Sequence, residues 1–288
     1  MEVTAPEPRT FGVPGLLLRL LLFGVLTAGL SVAAGVFLPS GDLVAGAWAL
    51  GFGGVVAGWT LLRWDGRPSS DLGLSLDRRA GIDGVVGWML GVFVAGVVLS
   101  VAAIAGGVEW RADGAEFTVS AWVGEAVRTL ALLAIPAAAE EVLLRGYVLV
   151  ASAAVLGPGA ALAITSVVFG LLHAANPGAG PMAVAGVTAA GLLLGALVLR
   201  FHSLWPAIGA HLGWNWALAA PGDVSVSGLD IADVPGYDGA PTGPDWLSGG
   251  AFGVEAGLVA ALALSAAAWA VWHRPLRPTT TTRDRDPR

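Results

Sequence analysis

Runs of about 20 apolar residues follow one another along most of the chain, and a run of that length crosses the hydrocarbon core of a bilayer as a helix. We read eight such spans, at about 20–38, 43–62, 84–106, 121–155, 159–175, 182–201, 204–219 and 250–272. In lipid the backbone must satisfy its own hydrogen bonds, so successive apolar runs fold as packed helices. The expected fold is therefore all-α, a polytopic membrane helical bundle. Composition agrees: 56% of residues are hydrophobic and 12% are charged, against roughly 25% charged in soluble domains. The apolar core of the first run is too long for a signal peptide and reads as a retained span.

The membrane domain extends over about 20–273, between a cytoplasmic N-terminal segment, 1–19, and a polar tail, 274–288, disordered from about Thr279. No soluble catalytic domain is visible. Cysteine is absent, which excludes disulfides, thiolate metal sites, a cysteine nucleophile and a lipidated cysteine. All basic residues are arginine. The acidic excess lies in loops, which argues against a nucleic-acid partner.

Arginine placement predicts orientation. Arg9, Arg19, Arg63, Arg67, Arg78, Arg79, Arg200 and Arg274, with the arginines of the tail, fall on one side if there are eight spans. The other side carries Arg111 and Arg128 among many carboxylates. Both termini are thus expected in the cytoplasm, with the chain in a cell membrane. Trp59, Trp64, Trp110, Trp122, Trp205 and Trp272 lie near span ends, as interfacial tryptophans do. Gly54–Gly58 and Gly191–Gly195 are small-xxx-small pairs, but with 42 glycines in the chain we read them as chance.

Inside the fourth run sits Ala139-Glu140-Glu141-Val142-Leu143-Leu144-Arg145. A charge at the centre of a spanning helix costs on the order of 3 kcal/mol on insertion scales. Glu141 and Arg145 are four apart and can neutralise each other on one helix face. Glu140 points roughly 100° away and lacks that partner. His173, His211 and Asn215 are the polar groups available to meet it. A helical hairpin turning near 156–159 places Glu140 and His173 both roughly 25 Å from the turn. Asn215 shares a face with His211, and Phe169, one turn before His173, can wall the same pocket.

Several of these features have plain structural readings. Glu141–Arg145 reads as a buried pair pinning helix packing, and Glu125–Arg128 as a solvated interfacial pair. His202 and His273, at helix ends, read as interfacial. His211 and Asn215 could be interhelical hydrogen bonds. Their conjunction points to a site: one free carboxylate, two histidines and an asparagine on three helices at compatible depths.

Glu140-Glu141-x-x-x-Arg145, Phe169-x-x-x-His173 and His211-x-x-x-Asn215 resemble, in order, the three motifs of the CPBP family. This is the CAAX-protease and bacteriocin-processing, or Abi, group of intramembrane endopeptidases. Asp71-Leu72-Gly73-Leu74 resembles a further family feature, so the likeness covers about 71–219, a CPBP-like catalytic core. It implies an eight-helix bundle that cleaves peptide bonds of membrane-associated substrates. Eukaryotic members trim prenylated CAAX proteins; prokaryotic members have diverse substrates. The family's usual assignment is a metal-free glutamate mechanism.

Peptide hydrolysis needs an activated water and a stabiliser for the oxyanion. Glu140 is the candidate base. His173 holds the same water or assists proton transfer, and His211 with Asn215 forms the oxyanion hole. Glu141 and Arg145 hold the helix in place. No cofactor is needed on this reading. The alternative is a zinc enzyme with Glu140, His173 and His211 as ligands, which would leave no free base, since Arg145 occupies Glu141. Non-enzymatic alternatives are a proton-coupled transporter and a scaffold or immunity protein. The expected partners are the lipid bilayer and a peptide or protein substrate, with its lipidation left open.

Overall fold

The computed structural model describes residues 10–39 and 41–275. The expected disordered tail lies outside the described residues, as do Arg9, Arg277, Arg283, Arg285 and Arg288. The chain is an all-α bundle: α1 (Val13–Gly35), α2 (Leu43–Trp64), α3 (Arg78–Ile104), α4 (Val119–Arg145), α5 (Tyr147–Leu156), α6 (Pro158–Leu172), α7 (Pro181–Phe201), α8 (Trp205–Ala219), α9 (Asp245–Ser248) and α10 (Leu258–Trp272). One short antiparallel ladder joins β1 (Val108–Arg111) to β2 (Asp238–Pro241), with Val108 opposite Pro241. It fastens the connection after α3 to the one after α8.

Five segments, α1, α2, α3, α7 and 158–175, are each long and apolar enough to cross a membrane alone. The other three expected spans appear as α4, which carries the charged motif, and as the 15-residue helices α8 and α10. Fifteen residues rise only about 22 Å, less than a hydrocarbon core of about 30 Å.

Three expected boundaries are corrected. The fourth run is not one helix to Val155: it breaks at Gly146, whose ψ of −116° leaves the helical region. A side chain there would meet the Val142 carbonyl at 2.5 Å. The last span starts at Leu258, not Gly250, because 250–252 and 254–256 form separate single turns. The first helix starts at Val13, so Arg19 lies within it and is buried. It pairs with Asp65 at 2.7 Å, and Tyr147 donates to the same carboxylate at 2.8 Å. This cluster binds α1, the end of α2 and the start of α5.

The glycine pairs read as chance do seat helices. A Cβ on Gly191 would lie 2.9 Å from Ser166, and one on Gly195 would lie 2.5 Å from Leu162, both in α6. Gly54 faces Leu143 of α4, and Gly58 faces Leu72 and Tyr147. α3 and α8 also approach closely. A Cβ on Gly91 would fall 2.1 Å from the Ala210 carbonyl, and one on Gly213 would fall 2.2 Å from that of Trp88. Backbone contact of this kind fixes the α8 residues that flank Gly213, including His211 and Asn215. Asp71–Gly73 adds an anchor at the start of α8: the Gly73 carbonyl, at φ 79°, accepts from the Leu204 amide at 2.9 Å.

Candidate active site

α4 carries Glu140, Glu141 and Arg145 near its C-terminal end, one turn beyond Pro136. Proline lacks the amide that would bond the preceding turn. Glu141 and Arg145 form the expected pair, Nη1 to Oε1 at 3.1 Å, with both side chains 0% exposed. The same Glu141 oxygen also accepts from His211 Nδ1 at 2.9 Å, a contact the motif spacing does not reveal. A carboxylate only accepts, so the His211 proton sits on Nδ1 and Nε2 faces away from Glu141.

His173 caps the C-terminus of α6 and opens the single turn His173–Ala175. Its Nδ1 lies 2.8 Å from the Phe169 carbonyl. A carbonyl also only accepts, so this ring too donates from Nδ1 and leaves Nε2 free. Both free nitrogens converge on one atom: His173 Nε2 and His211 Nε2 each lie 3.9 Å from Glu140 Oε2. That oxygen is buried without a hydrogen-bond partner, although the Glu140 side chain as a whole is 40% exposed. One carboxylate oxygen thus faces the histidines while the rest of the group reaches the surroundings.

Phe169 orders this cluster. Its ring meets His173 edge-on at 4.7 Å and His211 at 5.9 Å, and the Arg145 guanidinium lies 4.0 Å above its centre. A cation over an aromatic face is attracted by the ring quadrupole. Asn215 lines a narrow cleft together with Phe169, His173 and His211.

The structure therefore brings together Glu140, Glu141, Arg145, Phe169, His173, His211 and Asn215. Glu140 and His173 meet as the hairpin depth predicts, although the fourth run breaks at Gly146 and is not straight. Glu125 and Arg128 pair at 2.5 Å at the surface, as expected; in addition Arg128 donates to the Ile231 carbonyl at 3.0 Å. Among the described residues no group of three His, Cys, Asp or Glu side chains is placed to hold a metal ion.

Among the lining residues that the motifs did not indicate are the polar Ser227 and Glu255. Ser227 carries no signal in the sequence. Glu255 does: it is a lone carboxylate in the apolar run 250–272, the same anomaly that singles out Glu140.

Residues 122–217 match the family model described as Rce1-like, type II CAAX prenyl endopeptidase Rce1-like. The match spans about a third of the chain and contains every motif residue from Glu140 to Asn215. No curated protein and no solved structure gives a match.

Proposed function

We propose, from the likeness of residues 122–217 to the CAAX prenyl endopeptidase family model, that the chain is an intramembrane glutamic endopeptidase whose base is Glu140. The family supports a membrane-embedded peptidase; the assignment of roles is ours. The observation that carries it is the unpartnered Glu140 Oε2 with two imidazole nitrogens 3.9 Å away. A water about 2.8 Å from both Oε2 and His173 Nε2 donates one proton to each at an angle of about 90°, near a water's own geometry. Glu140 takes a proton as this water attacks the scissile carbonyl, and His173 keeps the water aimed. Asn215 donates to the oxyanion. His211 does so as imidazolium, because Nδ1–H is committed to Glu141 and Nε2 needs its own proton to donate.

The route proposed here is metal-free. The test is activity of the purified protein before and after chelation; abolition by chelation with recovery on adding zinc contradicts it. We also propose that both termini face the cytoplasm. A cysteine at exposed Glu116 should then label from outside intact cells, and labelling only after permeabilisation reverses the orientation.

Whether substrates are lipidated is decided by comparing membrane proteomes of cells carrying the wild type or Glu140→Gln. The expected result is a set of membrane-associated peptides cut only by the wild type. Identical proteomes, with transport or protection that survives Glu140→Gln, would instead favour a transporter or immunity protein.

A further inference from the structure

The connection between α8 and α10 lies outside the matched family segment, yet Ser227 and Glu255 line the catalytic cleft beside His173, His211 and Asn215. Glu255 is 6% exposed and sits in the single turn Val254–Ala256. Neutral donors hold its carboxylate. Trp214 Nε1 donates to Oε1 at 2.8 Å, while the backbone amide of Ser227 and its hydroxyl both donate to Oε2, the hydroxyl at 3.1 Å.

Each contact leads to one arm of the site. Trp214 lies between His211 and Asn215 on α8. Ser227 is held from its other side by Asn176, whose Nδ2 donates to the Ser227 carbonyl at 3.0 Å. Asn176 directly follows the turn that begins at His173. One carboxylate therefore ties the α8 arm to the end of the α6 arm.

The backbone around it is built for this contact. Val226 and Leu229 exchange hydrogen bonds, both at 2.9 Å, across Ser227 at φ 51° and Gly228 at φ 81°. A two-residue hairpin turn with both centres left-handed ordinarily takes glycine, asparagine or aspartate. Serine stands where its hydroxyl reaches Glu255. On the opposite side, a Cβ on Gly186 of α7 would lie 2.0 Å from the Glu255 carbonyl, so the turn has no room to retreat.

We propose that Glu255 is a positioning residue for hydrolysis, holding His173 on one arm in register with His211 and Asn215 on the other. The proposal rests on the peptidase reading above for its catalytic half. Its three donors leave Glu255 little capacity to grip substrate, so the effect falls on turnover rather than binding.

The test uses full-length protein in nanodiscs, comparing wild type, Glu255→Gln, Trp214→Phe and the double variant. Turnover, KM, Tm and amide exchange are measured for each. Misplacing reacting groups by about 1 Å costs on the order of 10²-fold, so each single variant should lose at least about tenfold in kcat with KM nearly unchanged. Exchange should quicken over 173–176 and 211–216 but not in α1 or α2, and the double variant should be little worse than Glu255→Gln. Trp214→Phe keeps the bulk and guards against misfolding of the carboxamide variant. Unchanged kcat makes Glu255 a passive wall and overturns the proposal. So does a uniform rise in exchange with a parallel fall in Tm. If the wild type cleaves nothing, the peptidase reading fails separately. Exchange still decides the clamp: faster on both arms supports it, and unchanged exchange overturns it.

Discussion

The buried ion pairs Arg19–Asp65 and Arg145–Glu141 are completed differently. At Arg19–Asp65 both carboxylate oxygens are used: Arg19 Nε takes one at 2.7 Å and the Tyr147 hydroxyl takes the other at 2.8 Å. The Arg19 guanidinium also stacks 3.8 Å over Phe11. At Arg145–Glu141 one glutamate oxygen serves both Arg145 and His211, while Glu141 Oε2, Arg145 Nε and Arg145 Nη2 are buried without partners. A buried polar atom left unpaired costs about 1–3 kcal/mol. A pair that only pins helices has no reason to retain several such atoms. The first cluster reads as a finished fastening, and the second as a fastening that also orients His211 toward Glu140.

That contrast can be broken by substitution. Arg145→Ala should have the largest effect, because it removes the buried guanidinium and leaves the Glu141 carboxylate with His211 alone as its partner. Breaking a buried pair costs about 3–5 kcal/mol, so Tm in detergent should fall sharply and activity should be lost with it. Glu141→Gln combined with Arg145→Met removes both charges and should recover much of the Tm but not the activity. A stable, inactive Arg145→Ala would instead place Arg145 on the substrate.

Asp65→Asn should come next. It keeps the shape of the Arg19 cluster but unbalances its charge, at a cost near the lower end of that range, about 3 kcal/mol. The folded protein should retain wild-type kcat; a selective loss of kcat would make this cluster part of the site. Tyr147→Phe should have the smallest effect, about 1 kcal/mol for one hydrogen bond, visible as a small Tm shift at constant turnover.

What the sequence discloses follows from the range of each interaction. Glu141–Arg145, Phe169–His173 and His211–Asn215 are legible because residues four apart on a helix share a face. The meeting of Glu140 with the histidines is legible only as a matter of depth. The Glu141–His211 bond is not legible, because it depends on how α4 and α8 pack together, which no local spacing encodes. Arg19 reads as a loop arginine because the helix start was set seven residues too late, which hides its buried partner Asp65. Glu255 stands out as a lone carboxylate in the run 250–272, but its place in the cleft is hidden as long as that run is read as one helix. Neither Asn176 nor Ser227 has a local pattern, since their contacts join segments far apart in the chain.

The central claim is that Glu140 is the base and that its neighbours, not Glu140 itself, carry the packing. Its side chain is partly exposed and its inner oxygen unpaired, so an isosteric amide there should leave the fold intact. The most direct measurement is kcat and Tm of purified Glu140→Gln beside wild type, on a peptide that the wild type cuts. The account predicts no detectable turnover at an unchanged Tm. Turnover within about tenfold of wild type, well short of the 10²–10⁴-fold that a positioned base supplies, would contradict it.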